Sequence, residues 1–167
     1  MQLRPAALLL LSLALPACSR PPRPAPVAAP TAATADRFAQ WEADVRGFED
    51  EDRRNPPPTG AVLFYGSSSI RFWESLARDF PDQRVINRGF GGSQMDDALH
   101  FVDRIVLPYR PRVIVLYEGD NDLAAGRTPA AIVADYRAFV DTVRHRLPET
   151  RVVFVAIKPS LARWNIV

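Results

Sequence analysis

The sequence predicts an α/β domain built on a parallel sheet of about four strands. Between about Thr59 and Val167, uncharged apolar runs typical of buried strands alternate with segments whose apolar residues recur at helical spacing. The connections between these segments are short, and prolines end the predicted helices. Repeated strand–helix units of this kind indicate a parallel sheet covered by helices, within a single domain.

The first unit contains a turn rich in hydroxyl groups. Ala61–Tyr65 is an apolar run that predicts a buried strand, and Gly66–Ser69 follows it directly. In a parallel sheet this turn lies at the carboxyl end of a strand, where ligands bind. A helix N-cap and a turn would explain the same residues without any function. Apolar residues then recur at helical spacing before Pro81, at Ile70, Trp73, Leu76, Ala77 and Phe80.

The rest of the domain repeats this alternation of strands and helices. A first amphipathic helix, from Asp36 to about Arg54, is expected ahead of the sheet. The further predicted strands are Arg84–Asn87, Arg112–Tyr117 and Val152–Ile157. The further predicted helices run from Met95 to Pro108 and from the N-cap Thr128, with Pro129 after it, to Pro148.

Residues 1–17 are typical of a bacterial signal peptide. Arg4 is followed by an apolar run, Ala6–Ala17, that is too short to cross a bilayer, which needs ~20 residues. The only cysteine, Cys18, comes directly after that run in a context that resembles a lipobox, which predicts lipidation. An ordinary secretory signal with an incidental cysteine is the alternative. Residues 18–35 would form a lipidated, Pro- and Ala-rich tether, and 36–167 the folded domain.

Polar groups suited to acyl transfer follow three of the predicted strands. This chemistry needs a nucleophilic oxygen and hydrogen-bond donors aimed at the oxyanion that develops. The first turn offers the serines 67–69, the second loop offers the glycine amides of 89–92, and the third offers Asn121. Each feature alone is explained equally well by a turn or a helix cap. Their appearance after three strands of one sheet favours a hydrolytic site that needs no cofactor and no metal ion.

These three blocks resemble the SGNH (GDSL-type) esterase and lipase family, in order and spacing. The resemblance rests on Gly66–Ile70, Asn87–Gly92 and Gly119–Asp122, and extends over roughly Phe38 to Trp164. It implies a flavodoxin-like three-layer α/β/α sandwich with strand order 2-1-3-4-5. It also implies the roles of the site residues: Ser68 is the nucleophile, and its own amide, the Gly92 amide and the Asn121 side chain form the oxyanion hole.

The sequence departs from the family pattern in two places. Ser67 stands where the family motif has Asp, and the Asp-x-x-His block near the C-terminus, which supplies the orienting carboxylate and the general base, has no match. We expect His100 to pair with Asp96 one turn earlier, and His145 to lie at the opposite edge of the sheet from Ser68. The resemblance therefore implies a partial domain and an esterase impaired by the lack of a base.

The missing fifth strand has a structural consequence as well. The predicted strand 152–157 is apolar throughout, as if both of its faces were covered, yet it would lie at the edge of the sheet. An exposed apolar edge of this kind favours aggregation or the binding of a partner protein.

Other classes of protein match the sequence less well. A dinucleotide-binding loop would need a third glycine where Gln94 stands, and Ile70 replaces the second glycine of the α/β-hydrolase elbow. The net charge of +2 with scattered arginines does not indicate nucleic-acid binding. The remaining alternative is an inactive carbohydrate- or lipid-binding lipoprotein. For the enzyme, we expect a small ester or acetylated carbohydrate or lipid substrate, and anchorage of the chain to the bacterial cell envelope.

Overall fold

The structure of the protein, a computed structural model, describes residues 37–158 of the 167-residue chain. The predicted signal peptide, the predicted lipidation at Cys18 and the predicted tether lie outside the described residues, as does the end of the predicted domain. Within residues 37–158, no helix combines the length and apolarity needed to cross a membrane.

Helices and strands alternate along the described chain. The helices are α1 (Glu42–Arg54), α2 (Ser68–Arg71), α3 (Leu76–Asp79), α4 (Met95–His100), α5 (Val102–Ile105), α6 (Asp120–Ala124) and α7 (Pro129–Arg146), with a 3₁₀ turn at Leu107–Tyr109. The strands are β1 (Val62–Gly66), β2 (Val85–Gly89), β3 (Val113–Tyr117) and β4 (Arg151–Phe154).

The four strands form one parallel sheet in the order β2-β1-β3-β4. This order is the first part of the flavodoxin-like arrangement that the sequence led us to expect, so the predicted fold class is confirmed. The central strand β1 pairs Gly66 with Gly89 of β2 on one side and with Tyr117 of β3 on the other. The carboxyl ends of these three strands therefore finish level with one another.

Alternation along the strands divides the apolar side chains between two faces of the sheet. In β1, Leu63 and Tyr65 belong to the larger core, whereas Phe64 belongs to a smaller cluster on the opposite face. The larger core includes side chains of α1, α4, α5 and α7, and the smaller one includes Ile70 of α2 and Leu76 of α3. Helical layers on both faces give the three-layer sandwich that was predicted.

Three predicted helices are each broken into shorter segments. The helix predicted from Asp36 to about Arg54 is interrupted by a turn at 40–41, after which α1 begins at Glu42. The segment 68–80 forms α2 and α3 instead of one helix: the chain leaves regular helical geometry from Phe72 to Ser75, and the Ser75 hydroxyl donates to Asp79 Oδ2 at 2.6 Å. The segment from Met95 is interrupted at Phe101, between α4 and α5. The long helix after Thr128 is confirmed, and the Thr128 side chain accepts a hydrogen bond from Ala131 N.

Strand β4 is the exposed edge of the described sheet. Its backbone pairs with β3, and it ends at Phe154, shorter than the predicted 152–157. Val153 is 49% exposed, although its sequence context is typical of a strand covered on both faces. The expectation that this apolar strand would form an edge is therefore confirmed within residues 37–158.

Candidate active site

The three polar loops predicted from the sequence meet at one edge of the sheet. Ser68 follows β1, Gly92 follows β2, and Asn121 follows β3. The strands are parallel and adjacent, so the segments that leave their carboxyl ends start side by side. Hydrogen bonds and close contacts hold these loops together.

Ser68 is the first residue of α2, at a tight junction between strand and helix. Gly66 has φ of +132°, and a methyl group at this glycine would lie 2.1 Å from the carbonyl oxygen of Tyr117. The Ser67 amide donates to that same carbonyl oxygen at 3.1 Å, and the Ser67 side chain is buried. Ser68 itself is partly exposed, at the carboxyl edge of the sheet.

The glycine-rich loop packs directly against the serine turn. The Phe90 amide donates to Gly66 O at 2.9 Å, and a methyl group on Gly89 would lie 2.2 Å from the Arg71 nitrogen of α2. A methyl group on Gly91 would come within 3.9 Å of Ser68 Cβ. Glycine is therefore required where the second loop meets α2, and the loop brings its backbone next to the candidate nucleophile.

The third loop is joined to the second by Asn121. This residue lies in the first turn of α6, and its Nδ2 atom donates to the carbonyl oxygen of Ser93 at 2.8 Å. The preceding Gly119 has φ of +104°, which lets the chain turn sharply from β3 into α6. Gly92 also has a positive φ, +89°, and is exposed.

Buried carboxylates lie behind the loops. Asp122, next to Asn121, accepts hydrogen bonds from the Met95 amide and thereby holds the start of α4. Burial raises the pKa of Asp122, although an ion pair with Arg127 opposes that shift. Burial likewise raises the pKa of Asp97 to about 6.

Neither histidine of the chain lies at the serine turn. His100 is in the last turn of α4, and its ring stacks on Phe38 with 3.9 Å between ring centroids. Burial lowers the pKa of His100. His145 is in the last turn of α7, the helix that leads into the amino end of β4, at the edge opposite Ser68.

The expected pairing of His100 with Asp96 is wrong. Asp96 instead forms ion pairs with Arg37 at 2.6 Å and with Arg127 at 3.1 Å. Two guanidinium groups hold this carboxylate more strongly than a largely neutral imidazole would, because both carry a permanent charge.

The end of the described chain also reaches the serine turn. Lys158 Nζ hydrogen-bonds Ser69 Oγ at 3.0 Å and lies 5.4 Å from the centre of the Tyr117 ring. Sequence reasoning assigned no role to Lys158, nor to Ser93 and Glu118, which form a buried hydrogen bond beside the site. The sequence does mark Glu118 in one way, because it is a charged residue directly after the apolar run 113–117. No cluster of potential metal ligands occurs among residues 37–158.

This sheet and its three loops have the architecture that the SGNH hydrolase class implies. The model of the GDSL-like lipase/acylhydrolase family matches residues 47–165. The chain therefore belongs to the GDSL-like lipase/acylhydrolase family.

Similar proteins agree with this assignment. The alpha1 subunit of platelet-activating factor acetylhydrolase IB from Bos taurus is 28% identical over 105 residues, 59% of this chain and 43% of the relative. The Homo sapiens subunit gives the same values. The chain thus spans less than half the length of these curated relatives.

Solved structures agree on the fold. A GDSL-like lipase from Bacteroides thetaiotaomicron superposes with a TM-score of 0.61 at 18% identity, over 71% of this chain and 60% of that one. A protein from Streptococcus pneumonia gives a TM-score of 0.64 at 19% identity, over 78% of this chain and 63% of that one. At these identities the likeness concerns the fold alone.

Proposed function

We propose that the chain is a serine ester hydrolase, an acyl- or acetylesterase with Ser68 as the nucleophile. The observation that carries the proposal is the contact between the three loops. Gly91 lies against Ser68, and Asn121 is hydrogen-bonded to the carbonyl of Ser93. A carbonyl group bound over Ser68 would then face the amides of Ser68 and Gly92 and the side chain of Asn121.

In the proposed reaction the Ser68 oxygen attacks the carbonyl carbon of an ester, and the carbonyl oxygen becomes an oxyanion. Solvent water takes the hydroxyl proton, and collapse of the tetrahedral intermediate breaks the ester C–O bond. The alcohol leaves with a proton from water, and a second water hydrolyses the acyl-enzyme to the acid and free Ser68. Both histidines lie away from Ser68, so the described residues offer no imidazole for the proton transfers. A serine protease that has lost triad members still accelerates the reaction about 10³- to 10⁴-fold over water. We expect a similarly small rate enhancement over uncatalysed ester hydrolysis from this chain.

We further propose a small ester, or an acetylated carbohydrate or lipid, as the substrate. The curated relatives are acetylhydrolases of platelet-activating factor, and a short acyl group suits a nucleophile at the surface of a sheet edge. The signal peptide of 1–17 and lipidation at Cys18 would place the domain at a bacterial cell envelope.

A second candidate function is a catalytically inactive envelope lipoprotein that binds carbohydrate or lipid at this edge. The observation that favours it is the absence of a histidine near Ser68 within the described residues. The two candidates differ in whether Ser68 reacts as a nucleophile.

Covalent labelling with a fluorophosphonate separates the two functions. The purified chain is incubated with the probe, digested, and mapped by mass spectrometry. We expect slow modification confined to Ser68, lost in Ser68→Ala and retained in the matched control Ser69→Ala. Modification that persists in Ser68→Ala would contradict the assignment, and no modification of the wild-type chain would favour the binding protein.

A further inference from the structure

Glu118 lies directly after β3, at the sheet edge where the three loops meet, and its side chain is completely buried. Its Oε1 atom accepts a hydrogen bond from the Ser93 hydroxyl at 2.6 Å. Its Oε2 atom is buried and has no hydrogen-bond partner in the described part of the chain. A carboxyl group in this setting needs an explanation, because burying an unpaired charge is costly.

The surroundings of Glu118 favour its neutral form. Burial raises the pKa of Glu118 well above the ordinary value, and negative charges nearby raise it further, although the Ser93 hydrogen bond opposes the shift. The nearby arginines pair with aspartates, as Arg127 does with Asp122. The titratable groups that face Glu118 are Asp96 and Asp97 on α4, Asp122 on α6 and Tyr65 on β1.

Ser93 connects Glu118 to the candidate oxyanion hole. It is completely buried and follows Gly92 directly in the chain. Its hydroxyl donates to Glu118, and its carbonyl oxygen accepts from Asn121 Nδ2 at 2.8 Å. Two side chains, Glu118 and Asn121, therefore hold the residue that directly follows Gly92. Gly92 itself is exposed and has a positive φ.

We propose that Glu118 is a positioning residue that fixes the Gly92 amide in the oxyanion hole through its hydrogen bond with Ser93. This inference rests on the proposed function, since that function assigns Gly92 to the hole. A neutral carboxyl group suits the role: it accepts the Ser93 hydrogen bond and puts no negative charge beside the developing oxyanion. Because glycine has unusual backbone freedom, the amide needs such an external restraint.

Four variants of the full chain test the proposal. Glu118→Gln keeps an acceptor for Ser93 in a neutral side chain, whereas Glu118→Leu fills a similar volume without one. Ser93→Ala removes the donor, and the double variant Ser93→Ala with Glu118→Leu removes both partners. The first measurement is the rate constant for fluorophosphonate labelling of Ser68. The second is the ¹⁵N relaxation order parameter of the Gly92 amide, with thermal unfolding as the control for the fold.

The proposal predicts that Glu118→Gln labels close to the wild-type rate. Glu118→Leu and Ser93→Ala each lose about tenfold to 10²-fold, the cost of a displaced catalytic donor. The double variant loses no more than either single variant, because both changes break the same contact. The Gly92 order parameter falls from about 0.85 to below about 0.6 in the variants that break the contact.

Two results would overturn the inference. One is an unchanged Gly92 order parameter in Glu118→Leu and Ser93→Ala, which would leave Glu118 a purely structural residue even if the unfolding temperature drops. The other is a double variant whose losses multiply. If the wild-type chain takes up no label at all, the proposed function fails, and the Gly92 order parameter still decides the role of Glu118.

Discussion

Asn121 and Asp122 are neighbours in the chain that connect α6 to two different parts of the site. The Asn121 amide donates to the carbonyl of Ser93 in the glycine-rich loop, and the Asp122 carboxylate accepts the Met95 amide at the start of α4. The two residues therefore fix both ends of the short segment 93–95. The Asn121 side-chain amide is also the group that the proposed function assigns to the oxyanion.

Replacing Asn121 tests that assignment. We expect Asn121→Ala to lower the rate of ester hydrolysis, or of labelling at Ser68, by about 10²- to 10³-fold, because one oxyanion donor is removed. Asn121→Asp keeps the shape but lacks the N–H groups and adds a negative charge, so its loss should be at least as large. A rate unchanged in Asn121→Ala would exclude the residue from the hole.

The buried Asp97 predicts a pH dependence of stability. Its pKa in the folded chain is raised from 3.8 to about 6 by burial, so the folded state binds this proton more tightly than the unfolded state. The free energy of unfolding should therefore fall as pH rises from about 4 to 6, by up to about 3 kcal/mol from this group.

Urea unfolding of wild type and Asp97→Asn at pH 4 and pH 7 measures this contribution. The variant cannot titrate at this position, so its stability relative to wild type should improve between pH 4 and pH 7. An equal stability difference at both pH values would show that Asp97 has an ordinary pKa in the folded chain.

The strand–turn–helix unit made by β1 and α2 is the element on which the site depends. The turn runs between two neighbouring strands, where Ser67 donates to the Tyr117 carbonyl and Phe90 donates to the Gly66 carbonyl. The turn has no space for a side chain at Gly66, which also has φ of +132°. The local backbone is thus determined by close packing between strands as well as by the serines that follow.

Two glycine substitutions separate close packing from glycine flexibility. Gly66→Ala should destabilise the chain by more than about 3 kcal/mol, since it adds a clash with the Tyr117 carbonyl to an unfavourable φ. Gly47→Ala lies inside α1 with open space around it and should stabilise by about 0.5–1 kcal/mol. Chemical denaturation measures both, and equal effects would contradict the packing argument.

At the level of elements, strands were easier to predict than helices. Apolar runs identify β1 and β3, because a strand buried on both faces admits few polar residues, whereas β2 has only the short apolar pair Val85–Ile86 before Asn87. Helical spacing correctly predicted helix in the segments 68–80 and 95–108. It did not predict the breaks within them. Breaks at Ser75 and Phe101 depend on local hydrogen bonds and packing that periodicity does not express.

The two edge strands of the described sheet, β2 and β4, differ in how their side chains are covered. On the β2 side, Arg88 is buried and hydrogen-bonds the Tyr109 hydroxyl at 2.7 Å, and an ion pair with Asp52 ties the strand to α1. On the β4 side, Val153 and Phe154 are 49% and 38% exposed, and among the described strands β4 pairs with β3 alone. An apolar edge of this kind is a site for association.

This edge predicts concentration-dependent self-association of the purified chain. Val153→Lys should reduce it, because a charge on an edge strand opposes strand pairing. Val133→Lys is the matched control: Val133 is 44% exposed but lies on helix α7. Sedimentation velocity over a range of concentrations measures both, and an equal effect of the two lysines would indicate a general charge effect rather than edge pairing.

The sequence predicted which loops lie together at the candidate site but not which contacts hold them there. Ser68, Gly92 and Asn121 could be proposed from family motifs and from their positions after strands. The hydrogen bond between Ser93 and Glu118 joins residues 25 positions apart in the chain. The hydrogen bond from the Met95 amide to Asp122 joins residues 27 positions apart. Such contacts depend on the packed arrangement of neighbouring loops, which the spacing of residues in one chain does not determine.

The convergence of three loops on one carbonyl oxygen is tested most directly by a crystal structure of the chain after fluorophosphonate treatment. We expect a phosphonyl group on Ser68 Oγ. Its free oxygen should lie about 2.7–3.1 Å from the amide nitrogens of Ser68 and Gly92 and from Asn121 Nδ2. A phosphonyl oxygen that points to solvent, with Asn121 Nδ2 out of reach, would contradict it.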